Sequence, residues 1–221
     1  VGTDHGFLLG EHGYWAKNQM PYYNEVANTP LFIWDPRSAV QGERRAALVQ
    51  MIDWAPTVLD FFGQPIPSDM QGKALARTIA DDTSVRDAAL FGVFSGHVNV
   101  TDGRYVYMRA ALPGNEALLA NYTLMPIKMN CRFTPHELRD IALAPPFRFT
   151  KGLQTLRIPA REKYRGLSQF GHLLFDLNRD PQQREPLQDA TIEEHMLAVL
   201  SRLMAENDAP EEQFTRLGIP R

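Results

Sequence analysis

Apolar and polar positions recur in several registers along the chain, and each register predicts an element. Residues 30–34, Pro-Leu-Phe-Ile-Trp, form a short apolar run closed by Asp35-Pro36, the pattern of a buried strand ending in a turn. Residues 53–63 predict a helix: Asp53 can cap it, Pro56 falls in the first turn, Leu59 and Phe62 share a face, and Gly63 stops it. Two β-like runs between Ala89 and Ala110 meet at Asp102-Gly103, a hairpin signal. His172 to Pro181 predicts a further strand ended by a turn. Thr191 and Glu194 form a capping-box pattern, after which Ile192, Met196, Val199, Leu200 and Leu203 make one apolar stripe at helical spacing. A stripe of that kind is core packing. Residues 111–165, rich in Pro, Arg and Phe, show no assignable period and read as long surface excursions.

Strand and helix signals alternate over the first ninety residues, which favours an α/β sheet, and the later part favours an antiparallel one. The expected organisation is therefore an α/β part over residues 1–85 and an antiparallel β-sheet subdomain with a closing helix over residues 86–221. The boundary falls at the polar stretch Asp81-Asp82-Thr83-Ser84. At 221 residues the chain has room for one core with an attached subdomain.

The net charge of −3 argues against a nucleic-acid partner, whose surfaces call for a basic excess. No apolar run approaches the roughly 20 residues of a membrane span. The single cysteine, Cys131, excludes an internal disulfide framework and leaves the compartment open; any targeting segment would lie upstream.

Candidate chemistry gathers at the front, in TDHGFLLGEHGYWAK, residues 3–17. Asp4 and His5 stand side by side, and a strand running into Thr3 would deliver both to the carboxyl end of a sheet, where ligands collect. A carboxylate beside an imidazole can serve a divalent cation, although an Asp-His pair taken alone more often makes a hydrogen-bonded turn. Lys17, flanked by Tyr14 and Trp15, can pair with an oxygen of sulfate or phosphate if the rings wall it in; taken alone it is a solvated charge.

This run, followed by TPLFIWDP and MIDWAPTVLDFFG, resembles the C-terminal half of the sulfatase family of the alkaline phosphatase superfamily. TDGRYVYMR (101–109) and HLLFDLNRDPQQREPL (172–187) resemble that family's C-terminal antiparallel sheet more diffusely. The resemblance implies an α/β fold, the C-terminal part of an alkaline-phosphatase-like sheet sandwich followed by the small antiparallel subdomain. It implies one divalent metal, Ca2+ or Mn2+, held by Asp4 and His5, and a sulfate contact at Lys17. Tyr14 and Asn18 would line the pocket, and His12 would brace the loop or stand behind the metal ligands.

The expected partner is a small-molecule sulfate ester, or a phosphonate or phosphate ester as in relatives of the same superfamily. The family's nucleophile is a formylglycine made from Cys or Ser in a Cys-x-Pro-x-Arg type motif, accompanied by two acidic metal ligands near the N-terminus. Neither is present in this chain, so the resemblance places both in a missing N-terminal part of the same polypeptide. The rival expectation, if the chain is complete as given, is a non-catalytic module. Cys131 precedes Arg-Phe-Thr-Pro, the wrong order for that motif, and reads as a partly buried structural thiol. His97 reads as a solvated strand position, and His136, His172 and His195 carry no expected role. Sequons stand at Asn99 and Asn121.

Overall fold

The computed structural model describes residues 1–17, 20–128, 131–160 and 167–221. The chain opens with a small antiparallel hairpin, β1 (Leu8–Leu9) and β2 (Trp15–Ala16), and one helical turn, α1 (Asn24–Ala27). Two short helices follow, α2 (Trp54–Phe61) and α3 (Ala76–Asp81). A meander comes next, β3 (Ala89–Gly92), β4 (Val98–Thr101) and β5 (Tyr105–Arg109). Beyond it lie β6 (Ala120–Thr123), β7 (Ala142–Ala144), β8 (Thr155–Pro159) and β9 (Leu173–Asp176), then α4 (Ala190–Glu206) and α5 (Glu211–Leu217).

The order β3-β4-β5-β9 makes one four-stranded antiparallel sheet, and its register separates two apolar faces. Val100, Tyr107 and Leu174 lie opposite one another and pack under Met196, Leu200 and Leu203 of α4. Each fully buried side chain of that helix contributes about 1.5–3 kcal/mol through burial. On the other face Val106, Met108 and Phe175 pack with Leu8, Met20, Tyr23 and Val26. That second face carries β1 and α1, and so supports the front of the chain. The hairpin turn at Asp102-Gly103 and the α4 stripe form where the sequence pattern places them.

Other expectations need correction. Leu31 makes only an isolated bridge to Gly2, with Phe32 69% and Trp34 78% exposed, so residues 30–34 are not a buried strand. No neighbouring strand pairs with them among the described residues. Asp53 does not cap α2; its carboxylate is fully buried, accepts from the backbone N–H groups of Gln50 and Lys73, and receives both terminal nitrogens of Arg86 at 2.6 Å. Phe62, at the end of α2, is exposed and not part of a packed face. The cap of α4 is Asp189, whose Oδ1 accepts from Thr191 and Ile192, two residues ahead of the expected box. Residues 111–165 hold a second antiparallel sheet, β6-β8-β7, tied to α5 by Tyr122 and Arg157 on Glu212.

Candidate active site

Asp4 and His5 precede β1, and Lys17 directly follows β2. Antiparallel pairing of Leu8 with Ala16 folds the two chain ends back together, so the lysine returns over the histidine. Lys17 Nζ lies 2.6 Å from His5 Nε2, and Asp4 Oδ2 lies 3.4 Å from the same nitrogen. The three predicted residues thus form one cluster around His5 Nε2. His5 Nδ1 stands 3.0 Å from the Gly6 carbonyl, which assigns the ring proton to Nδ1 and leaves a lone pair on Nε2. The Asp4 side chain is 80% exposed. Its carboxyl is held below the usual carboxylate range, first by its own backbone N–H, then by His5 and the Thr3 hydroxyl.

Gly6 explains how the segment is seated. Its N–H donates to the Val26 carbonyl at 2.9 Å, and a Cβ there would lie 1.8 Å from the Glu25 carbonyl oxygen. Only a glycine allows the backbone to lie so closely against α1. The turn of the hairpin is braced on the same helix: His12, at φ 52°, stacks on Tyr23 with ring centroids 3.7 Å apart, and its Nε2 is 3.4 Å from Glu25 Oε2. His12 therefore steadies the loop, as one of its two expected roles requires.

The walls expected around Lys17 differ from one another. Trp15 is 73% exposed, whereas Tyr14 is half-buried against the Phe175 cluster and meets Phe170 edge-on. Asn18 lies outside the described residues. No group of three or more His, Cys, Asp or Glu capable of holding a metal occurs among the described residues.

His97, expected in solvent, is 4% exposed; its Nε2 lies 2.9 Å from the Gly171 carbonyl, and burial pushes its pKa down to about 4. Cys131 is exposed, not partly buried. The Asn99 sequon is fully buried on β4 and closed to modification in the folded chain. Tyr23, Glu25 and Thr3, which shape the cluster, were not among the expected residues. Thr3 adjoins the motif, but the roles of Tyr23 and Glu25 depend on tertiary contacts that no local spacing announces.

A hairpin thus brings an Asp-His pair beside a lysine, carried on the face of an antiparallel sheet. Residues 10–107 match the family described as N-sulphoglucosamine sulphohydrolase, C-terminal. That segment includes His12, Tyr14 and Lys17, with Asp4 and His5 just ahead of it.

The chain is 40% identical over 80 residues to an N-acetylglucosamine-6-O-sulfatase of Bacteroides thetaiotaomicron, which is 36% of this chain and 14% of the relative. It is 31% identical over 107 residues to an arylsulfatase of Clostridium perfringens, 45% of this chain and 22% of the relative. In fold it superposes on a protein solved in complex with its substrate D-glucosamine-2-N,6-O-disulfate, with TM-score 0.61 and 18% identity, covering 96% of this chain and 34% of that one. It also superposes on a 2-O GAG sulfatase, with TM-score 0.55 and 16% identity, covering 99% and 36%. The chain spans about a third of the length of these solved proteins. These similarities support the chain as the C-terminal portion of a sulfatase-family protein.

Proposed function

We propose that the polypeptide containing this chain hydrolyses sulfate esters, with Asp4, His5 and Lys17 forming one half of its active site. The observation that carries this reading is the convergence of Lys17 Nζ and Asp4 Oδ2 on His5 Nε2, at 2.6 and 3.4 Å. Asp4 and His5 fit a divalent cation, calcium or manganese, by donor chemistry: an exposed, ionised carboxylate beside an imidazole whose Nε2 lone pair is set by the Nδ1 contact to Gly6. When bound, such an ion supplies Lewis-acid stabilisation of charge on the sulfate oxygens.

Lys17 has three N–H donors, one of which is directed at the His5 Nε2 lone pair in this structure. With a cation on that lone pair, the lysine donors would turn to the non-bridging oxygens of the sulfate, holding it in place and balancing charge that grows as the ester bond breaks. Asp4 and His5 orient the group from one side, and Gly6 keeps both on α1. Tyr14 belongs beside this site as a lining residue. A nucleophile, a formylglycine on the family's pattern, and further acidic ligands come from outside this chain. The substrate class to test first is a sulfated amino sugar, because the N-acetylglucosamine-6-O-sulfatase relative is named for one.

The test is a side-by-side assay of the full-length polypeptide on glucosamine 6-sulfate, an aryl sulfate and a phenylphosphonate ester, before and after EDTA. Metal-dependent release of sulfate from either sulfate ester is the expected result. Turnover of the phosphonate ester alone would overturn the reading in favour of the phosphonate hydrolases of the same superfamily.

A further inference from the structure

The loop after β9 reaches across the molecule to the helix on which the Asp4–His5–Lys17 cluster sits. Gln183 is 2% exposed and holds a left-handed backbone, φ 51°, a conformation a non-glycine residue keeps only where its surroundings enforce it. Its Oε1 accepts the N–H of Asn24 at 2.6 Å. Asn24 opens α1, and the residue before it, Tyr23, makes no side-chain cap, so the Gln183 amide acts as the cap from 159 positions away. Gln183 Nε2 has no hydrogen-bond partner among the described residues, so the bond to Asn24 is the compensation for burying this amide.

Helix α1 is the common support of both halves of the cluster. The Gly6 N–H ends on Val26 O, which seats Asp4 and His5, and His12 leans on Tyr23 and Glu25, which seats the hairpin that returns Lys17. We infer that Gln183 is a positioning residue: through the Asn24 N–H it fixes α1, and through α1 it sets the spacing of the Asp4–His5 pair relative to Lys17. The functional part of this inference rests on the proposed sulfatase site; the link from Gln183 to Gly6 does not.

The experiment uses the full-length polypeptide and the variants Gln183→Met, which removes the acceptor at similar size, and Gln183→Glu, which keeps one. Backbone amide exchange is read at Asn24 and Gly6, with Leu200 in α4 as internal control. Gln183→Met is expected to speed exchange at Asn24 and Gly6 by at least tenfold, leave Leu200 unchanged, and weaken calcium binding measured by calorimetry about tenfold. On an aryl sulfate, kcat should fall with KM changed less than threefold, and Gln183→Glu should restore each readout.

Unchanged exchange at Gly6, or acceleration spread equally to Leu200, would overturn the positioning role whatever the enzyme's activity. Faster Gly6 exchange in Gln183→Met, found alongside a wild-type protein that neither binds calcium nor cleaves sulfate esters, would sink the sulfatase reading and keep the link.

Discussion

Lys17 Nζ stands 2.6 Å from His5 Nε2, although twelve positions separate the two in the chain. The hairpin between them does the work, since pairing of Leu8 with Ala16 leaves its two ends side by side. The cluster therefore depends on how the hairpin and the Asp4–Gly6 segment sit on α1, and the first prediction concerns that seat.

Gly6→Ala should disrupt the seat directly. The added Cβ would fall 1.8 Å from a backbone oxygen, Glu25 O, which cannot swing aside as a flexible side chain can. A loss of about 3 kcal/mol, the upper end for overpacking, is expected in chemical denaturation of the full-length protein. A loss under about 0.5 kcal/mol would show that α1 and the loop are not packed as described.

The buried pair Asp53–Arg86 joins the start of α2 to the segment before β3, with both contacts at 2.6 Å. Asp53→Asn leaves the guanidinium without its counter-charge and should cost about 3–5 kcal/mol. The double replacement Asp53→Leu with Arg86→Met should cost clearly less, because no lone charge stays buried. Urea midpoints of the three proteins decide this, and equal losses for single and double variants would contradict it.

His97 gives a pH dependence with a definite sign. Its folded pKa, about 4, lies below the ordinary 6.5 because burial disfavours the charged ring. The unfolded chain binds the extra proton first as pH falls, so the stabilisation is complete above about pH 6.5 and is lost between there and pH 4. By pH 5 the loss is about 2 kcal/mol. Replacing His97 with Gln should remove that component, and denaturation at pH 7 and pH 5 compares the two proteins. Identical pH slopes would rule out a neutral buried His97.

The chain from 1 to 221 by itself exposes Phe32, Ile33, Trp34, Trp54, Phe61 and Phe62 within one stretch. Clustered exposure of large apolar side chains marks a surface meant to be covered. In isolation the chain should bind the dye ANS and self-associate at micromolar concentration, whereas the full-length polypeptide should do neither. A dye-silent, monomeric isolated chain would contradict this.

Much of this arrangement was legible before the structure, and the legible parts share a physical cause. The β4–β5 hairpin announces itself because alternation and an Asp-Gly turn are local signals, and α4 does so because its five stripe residues recur at helical spacing. Asp4, His5 and Lys17 were named from their motif, yet their mutual contact depends on hairpin register. The strands of the second sheet are three to five residues long with long excursions between them, too short for a period to show. The caps expected at Asp53 and Thr191 fail for a related reason. An acidic residue before a helix has the same sequence signature whether it caps, as Asp189 does, or receives a distant arginine, as Asp53 does. The apolar run at Phe32–Trp34 is read as buried by any periodicity argument, but burial needs a partner surface that the described residues lack.

The most direct test of the central claim is turnover of a sulfate ester by the full-length polypeptide and its Lys17→Ala variant, with thermal unfolding measured alongside. Removing a donor that stabilises developing charge at a sulfate should lower kcat about 10²–10³-fold while the unfolding temperature stays within a few degrees. Near wild-type turnover by a folded Lys17→Ala protein would mean that the lysine beside His5 is not the sulfate contact, and the assignment of this hairpin as half of the active site would fall.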